Sequence, residues 1–195
     1  MVKKKSDQDQ PSGRAVSGII LGCLSILLVV FVSAQTGHGQ KVIEVKMMAS
    51  AAGSVSFDPI GIHIDPGDTV RWVQISGYHS TTAYHPANDN HELRIPENAA
   101  PWNSDIMIGQ YPAPGSAFEQ KFTVEGVYDY FCRPHENAGM VGRIVVGRPL
   151  EGPGTRTFNY APEKHWKPLP EAAQRAFPSI EEIMAKGIVR PPGLD

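Results

Sequence analysis

The sequence predicts an all-β domain of the sandwich type at residues 41–147, placed between two extensions of different character. Three observations predict it. Short runs of alternating apolar residues recur about seven times in this region, with turn signals between them. Glycine (19 residues) and proline (17 residues) are frequent, which favours turns and short strands over long helices. Apolar residues make up 41% of the 195 residues, enough to build a hydrophobic core.

The strands are predicted in order along the chain. Four come early, at residues 41–48, 54–58, 61–64 and 69–75, and three come late, at residues 117–124, 127–132 and 141–146. Asp65–Asp68 is a turn, because its proline presets one backbone dihedral and its glycine supplies a positive one. Residues 76–115 are irregular and rich in Asn, Pro and His. So long a loop inside a compact domain is usually functional.

The first 40 residues predict an export segment. Three lysines and an arginine open the chain, and an uncharged stretch with its apolar centre at residues 19–32 follows. Val32-Ser33-Ala34 is typical of secretory cleavage, so we expect a signal peptide cut after Ala34. The alternative is an uncut membrane anchor, since the apolar stretch is close to the length that spans a bilayer. Either way we expect an exported protein, in the periplasm or at the outer face of the cytoplasmic membrane, with no other membrane contact.

Residues 148–195 predict a Pro-rich tail with one or two short helices. Its first half reads as an extended wrap or linker. Residues 170–176 predict a helix with proline in its first turn. Ser179 and Glu182 form a capping box ahead of a second helix, and Gly187 is a suitable C-terminal cap. The sequence leaves open whether this tail is a two-helix appendage or a segment that docks on a partner.

The net charge bears on nucleic acid as a partner, and the cysteine content raises the question of what a single thiol does. Without residues 1–34 the chain has 14 basic and 18 acidic residues, a formal charge of −4, which argues against nucleic acid as a partner. Of the two cysteines, Cys23 lies in the export segment, so the mature chain keeps Cys132 alone. A single thiol in an exported protein requires a partner chain, a reactive role or a metal.

A metal explains Cys132, because two further ligand types lie near it in the sequence. The loop from Cys132 to Met140 carries a thiolate, the imidazole of His135 and a thioether, between two predicted strands. Soft sulfur ligands with imidazole select copper, and a trigonal His2Cys site with a weak axial methionine is the electron-transfer form. Hard metals would favour carboxylates, and structural zinc would favour four strong ligands.

A second imidazole has to come from elsewhere in the chain. His79 follows the strand at residues 69–75, at the start of the irregular segment, and its spacing from Gly67 favours it over His85. No role is assigned to the other histidines, which are His38, His63, His91 and His165. Of these, His91 lies in a loop rich in acidic and amide residues, where an adventitious metal contact is one possible role.

These motifs resemble the plastocyanin and pseudoazurin group of small cupredoxins. In that family an upstream histidine joins a cysteine, a histidine after two further residues and a methionine after four more. Here the same spacing separates Cys132, His135 and Met140. Three flanking segments also resemble the family, namely Gly126–Cys132, Gly139–Val146, and Pro66–Trp72 leading to Gly77-Tyr78-His79. The resemblance covers residues 41–147.

The resemblance implies a cupredoxin-type Greek-key β-sandwich holding one copper ion, as Cu+ or Cu2+. The implied metal ligands are His79, Cys132, His135 and Met140. Because four protein ligands leave no open position for a substrate, the resemblance implies electron transfer and not catalysis. The implied partners are redox proteins such as a cytochrome or a copper/haem oxidoreductase. They would meet His135 within an apolar patch made by Pro134, Ala138 and the loops near Pro86.

The sequence departs from the family in three places. Ser80 stands where an asparagine usually braces the two ligand loops. Residues 81–116 are longer and more polar than expected, and the tail from residue 148 has no counterpart in plastocyanin. Because of the tail, a copper-binding subunit docked in a larger redox complex is a second hypothesis, and a copper carrier is a third. A copper enzyme would need more paired histidines or a second cysteine in the loop.

Overall fold

A computed structural model describes residues 39–148 and 165–193, which form one compact unit. The expected export segment and the linker part of the tail lie outside these described residues. The strands are β1 Val42–Ala49, β2 Val55–Asp58, β3 Gly61–Ile64, β4 Thr69–Gln74, β5 Thr82–Ala83, β6 Ala117–Lys121, β7 Gly126–Phe131, β8 Val141–Val146 and β9 Ile188–Val189. The helices are a 3-10 turn at Arg133–Ala138, α1 Glu171–Ala176 and α2 Ile180–Lys186.

The strands form two mixed sheets, which confirms the predicted all-β sandwich. One sheet has the order β2-β1-β4-β6 and the other the order β5-β7-β8-β3-β9. Two pairings are parallel, β1 with β4 and β3 with β8, and the rest are antiparallel. The prediction missed β5 and β9, because two residues are too few to show an alternating pattern.

The core between the sheets is built by alternating residues of the facing strands. On β7, Tyr128 and Tyr130 point into it and are continued by Cys132. The ring of Trp72 on β4 lies 5.3 Å from that of Tyr130 and 5.6 Å from that of Trp102. Trp102 comes from the irregular segment, which therefore supplies core packing as well as loops.

The tail forms a third layer on the outer face of the second sheet. Every residue of β7 and β8 is buried, because the side chains that point away from the core are covered by the tail. Val127 and Val145 pack with α2, and Phe131 and Val141 pack with α1 and the residues before it. In the described part of the chain, no helix is long and apolar enough to cross a membrane.

Both predicted tail helices are present, and α2 has Ser179 and Gly187 at its two ends as expected. Ser179 Oγ accepts a hydrogen bond from the amide of Glu182 at 3.0 Å, which satisfies one of the free N–H groups at the start of α2. At the other end Gly187 has φ 73° and its N–H donates to the carbonyl of Ile183. The chain then returns as β9, antiparallel to β3.

Candidate metal centre

The four residues predicted as ligands lie in two loops, one after β4 and one between β7 and β8. His79 lies after β4 and pairs with Met107 in an isolated bridge, where its carbonyl accepts from the Met107 amide at 2.8 Å. Cys132 follows β7 and precedes the 133–138 turn that contains His135, and Met140 precedes β8. The strands fix the two ends of this loop, so its ligand types are presented by a rigid scaffold.

Backbone hydrogen bonds close the loop on itself. The amide of Cys132 donates to the carbonyl of Met140 at 3.0 Å, and the amide of Met140 donates to the carbonyl of His135 at 3.2 Å. The amide of His135 donates back to the carbonyl of Cys132 at 3.0 Å. All three residues are therefore fixed relative to one another before any metal binds.

Three donor atoms lie close enough together to share one metal ion. The Nδ1 atoms of His79 and His135 are 3.2 Å apart, and Cys132 Sγ lies 3.6 Å from the first and 3.4 Å from the second. A point equidistant from the three lies about 2 Å from each, close to the usual length of a metal–nitrogen bond. The donor set is the trigonal His2Cys arrangement of electron-transfer copper sites, so the residues present fit a copper ion.

Met140 is fully buried and belongs to the same core cluster as Cys132. Its backbone position in the closed loop agrees with a role as the weak axial ligand. That role remains a prediction from the sequence motif.

Burial holds all three donors in their neutral forms in the metal-free protein. It raises the pKa of the Cys132 thiol to about 11. Burial, helped by repulsion from His135, lowers the pKa of His79 to about 4, and burial also lowers the pKa of His135. Neutral imidazoles are ready to bind a metal at neutral pH, and a bound cation would displace the thiol proton.

Ser80 braces the two ligand loops in place of the asparagine usual in the family. Its amide faces Cys132 Sγ at 3.4 Å, and its Oγ accepts a hydrogen bond from the amide of Arg133 at 2.8 Å. Its hydroxyl lies 3.3 Å from that of Thr82, which in turn donates to Asn103. Ser80 is fully buried. The sequence raised the question of the brace, but only the structure identifies the bonds that make it.

The other histidines of the described residues lie outside this cluster. Nδ1 of His85 accepts from the amide of Ala87, and Nε2 of His63 lies 2.8 Å from the carbonyl of Gly147. His91 is buried and has both ring nitrogens occupied, so the structure does not support an adventitious metal contact there. In the part of the chain that is described, His79, Cys132 and His135 form the one group of this kind able to hold a metal.

The site reaches the surface through His135, which is partly exposed. The ring of Tyr78 packs against it at 5.2 Å between centroids and is itself 53% exposed. Pro134 and Ala138 are exposed as expected, and Ile106 lines a cleft together with Pro134. Sequence reasoning missed Tyr78 and Ile106 as parts of this surface. Only the position of Tyr78 beside a predicted ligand could have indicated it.

Comparison with known proteins agrees with this geometry. The family model for copper binding proteins of the plastocyanin/azurin family matches residues 43–147. A plastocyanin from Scenedesmus fuscus is 34% identical over 104 residues, which cover 53% of this chain and 98% of that protein. A chloroplastic plastocyanin from Tetradesmus obliquus is 32% identical over 103 residues, covering 51% of this chain and 63% of that protein's length.

Pseudoazurins are also similar to this chain. One from Methylorubrum extorquens is 29% identical over 134 residues, which cover 65% of this chain and 78% of that protein. The solved structure of a pseudoazurin from Sinorhizobium meliloti matches with a TM-score of 0.49 and 28% identity, over 76% of this chain and 99% of that one.

Proposed function

Because this chain belongs to the copper-binding plastocyanin/azurin family, we propose that it is a blue-copper protein that carries single electrons between redox partners. One observation carries the proposal, the convergence of two imidazole nitrogens and one thiol sulfur within 3.6 Å of one another. The proposed ligands are His79, Cys132, His135 and Met140.

The role of the protein is to hold these donors still. The bound copper supplies a one-electron couple between Cu+ and Cu2+. Fast electron exchange requires little movement of the ligands, and here the loop is closed by its own backbone bonds and braced by Ser80. With Met140 as the fourth donor, no position would remain for a substrate, so we propose electron transfer and no catalysis at this copper.

Electrons would pass through His135, the proposed ligand that is partly exposed. The exposed ring of Tyr78 packs against His135. Pro134 and Ile106 line a neighbouring cleft that also has charged walls, so the surroundings of His135 are partly apolar and partly charged. Such surfaces suit the small transient interfaces of redox proteins. We propose a cytochrome or a copper/haem oxidoreductase as the partner, met in the periplasm or at the outer face of the cytoplasmic membrane.

The sequence allows two other functions for the same copper. A copper carrier needs an open site that releases its ion easily, and the buried Cys132 and His79 argue against it. A subunit docked in a larger redox complex would use the tail as its arm. Residues 165–193 instead pack against their own sandwich, which favours the independent carrier.

The first test is the visible absorption spectrum of residues 35–195 loaded with copper(II). We expect a strong thiolate-to-copper band near ~600 nm, as a trigonal His2Cys site predicts. Cys132→Ala and His79→Ala should lose the band, whereas the matched control His85→Ala should keep it. Copper binding without the band would remove the thiolate from the ligand set and with it the proposal. A band that survives in His79→Ala but not in His85→Ala would reassign the second imidazole.

A further inference from the structure

The turn at Arg133–Ala138 carries His135, yet none of its six residues is buried. Besides the backbone hydrogen bonds of the loop, the turn packs against helix α1, so its position depends on contacts with the rest of the molecule. If His135 moved by a fraction of an ångström, the donor triangle with His79 and Cys132 would open. The contacts that tie this turn to the rest of the molecule therefore decide how well the proposed copper site is held.

One side chain of the turn reaches into the protein. Glu136 follows His135 directly, and its side chain is only 13% exposed. Its Oε1 accepts a hydrogen bond from the hydroxyl of Tyr84 at 2.8 Å, and its Oε2 lies 3.1 Å from Nε2 of His91. By contrast, Arg133 of the same turn pairs with the partly exposed Asp89 at 3.1 Å.

The surroundings of His91 favour the protonated form of its ring. Its Nδ1 lies 2.6 Å from the carbonyl of Asn88, and its Nε2 faces the carboxylate of Glu136. Both neighbours accept hydrogen bonds, so the ring is satisfied when both nitrogens donate, as an imidazolium. Burial acts to lower the pKa of His91, but the hydrogen bonds to Glu136 and Asn88 outweigh it and the pKa is raised.

Tyr84 and His91, the two residues that hold Glu136, are themselves fixed by packing. Tyr84 is fully buried, and its amide donates to the carbonyl of Asp129 on β7 at 3.0 Å. The rings of Tyr84 and His91 pack on Phe131, at 4.5 Å and 4.4 Å between centroids. Phe131 is the last residue of β7, immediately before Cys132. The carboxylate thus ties the turn to the same strand end that presents the thiol.

We infer that Glu136, held by Tyr84 and His91, is a positioning residue that fixes His135 in the copper site. This inference rests on the proposed function. It assigns the affinity of the site for copper partly to a side chain that does not touch the metal. Groups that orient metal ligands in this way typically change metal affinity about 10- to 100-fold when they are removed.

The test compares Glu136→Ala with Asn137→Ala, an exposed neighbour on the same turn. Copper(II) affinity is measured by competition with a chelator, together with the position of the thiolate band and the unfolding midpoint of the copper-free protein. We expect Glu136→Ala to bind copper about 10- to 100-fold more weakly than Asn137→Ala and to shift the band. Glu136→Gln keeps an acceptor for the Tyr84 hydroxyl, so its copper(II) affinity should lie between those of Glu136→Ala and Asn137→Ala.

A double-mutant cycle with Tyr84→Phe separates positioning from general stability. The loss of affinity caused by Glu136→Ala should be smaller when the Tyr84 hydroxyl is already absent. Equal copper affinity in Glu136→Ala and Asn137→Ala would overturn the inference, even if the copper-free midpoint fell. The band of the unaltered protein tests the proposed function by itself. If the unaltered protein shows the band while Glu136→Ala and Asn137→Ala have equal copper affinity, only the proposed role of Glu136 is wrong.

Discussion

Ser80 shows how one buried hydroxyl can replace a longer side chain. It follows His79 directly, and it contacts the segment of Cys132 and Arg133 through both its amide and its Oγ. A short side chain is sufficient because the two loops approach closely at this point. Hydrogen bonds near the cysteine sulfur are among the factors that set the potential of a blue-copper site. Ser80 therefore joins the two halves of the proposed centre.

Ser80→Ala removes the acceptor for the Arg133 amide and leaves that group unsatisfied. We expect the free energy of unfolding of the copper-free protein to fall by about 0.5–1.5 kcal/mol, the usual net contribution of one hydrogen bond. The thiolate band should persist, since no proposed ligand is changed. Urea unfolding measures the change in stability, and visible absorption of the copper-loaded protein shows whether the thiolate band persists. The control is Ser54→Ala at an exposed position, and equal stability of the two variants would contradict the brace.

At the scale of elements, the tail belongs to the folded core. Helix α2 lies so close to β3 that a methyl group at Gly61 would come within 2.8 Å of Ile183 and Pro178. Arg143 on β8 pairs with the buried Asp129 and donates to the carbonyl of Pro178 at 2.8 Å, which joins the sheet to the tail. Glycine at position 61 therefore allows α2 to cover the outer face of the second sheet.

Ile183→Ala tests whether the tail contributes to stability. Ile183 is fully buried among Ile60, Val127 and Val145, so its truncation should lower the free energy of unfolding by about 2–5 kcal/mol. Chemical denaturation of the copper-free protein measures this. Lys186→Ala on the exposed side of the same helix loses an ion pair with Glu182 and should change stability by less than about 1 kcal/mol. An undiminished stability in Ile183→Ala would mean that the tail detaches freely.

At the scale of the whole molecule, the candidate site joins segments that are far apart in sequence. His79 and His135 are separated by 56 residues, and the sandwich brings their rings to 5.0 Å between centroids. A metal bound there would link the loop after β4 to the loop after β7. Copper binding and global stability are therefore coupled, because the unfolded chain cannot present this donor set.

Removal of copper should lower the thermal unfolding midpoint. At a free copper concentration 100 times the dissociation constant, the bound ion would add about 2.7 kcal/mol to the stability of the folded protein. Calorimetry with and without a chelator measures the difference. In Cys132→Ala the thermal unfolding midpoints measured with and without the chelator should lie much closer together. A chelator effect of the same size in Cys132→Ala would show that the stabilising metal binds elsewhere.

Much of the fold and part of the candidate site could be predicted from the sequence. The limits of β3 and β8 match the prediction, because alternating apolar residues between turn signals are a local pattern. The grouping of Cys132, His135 and Met140 within nine residues is local as well. The strand β9 could not be predicted, since its two residues are defined only by pairing with β3.

Local sequence patterns were sufficient to predict an all-β sandwich with a soft metal-binding loop, because strand periodicity and ligand spacing are properties of neighbouring residues. The packing of the sheets was needed to establish that His79 and not His85 lies beside Cys132, and that Ser80 bridges the two loops. It also decided that Glu136 is anchored by Tyr84 and His91. These contacts join residues about 45 to 56 positions apart, and their distances depend on how the sheets pack, which no local pattern encodes.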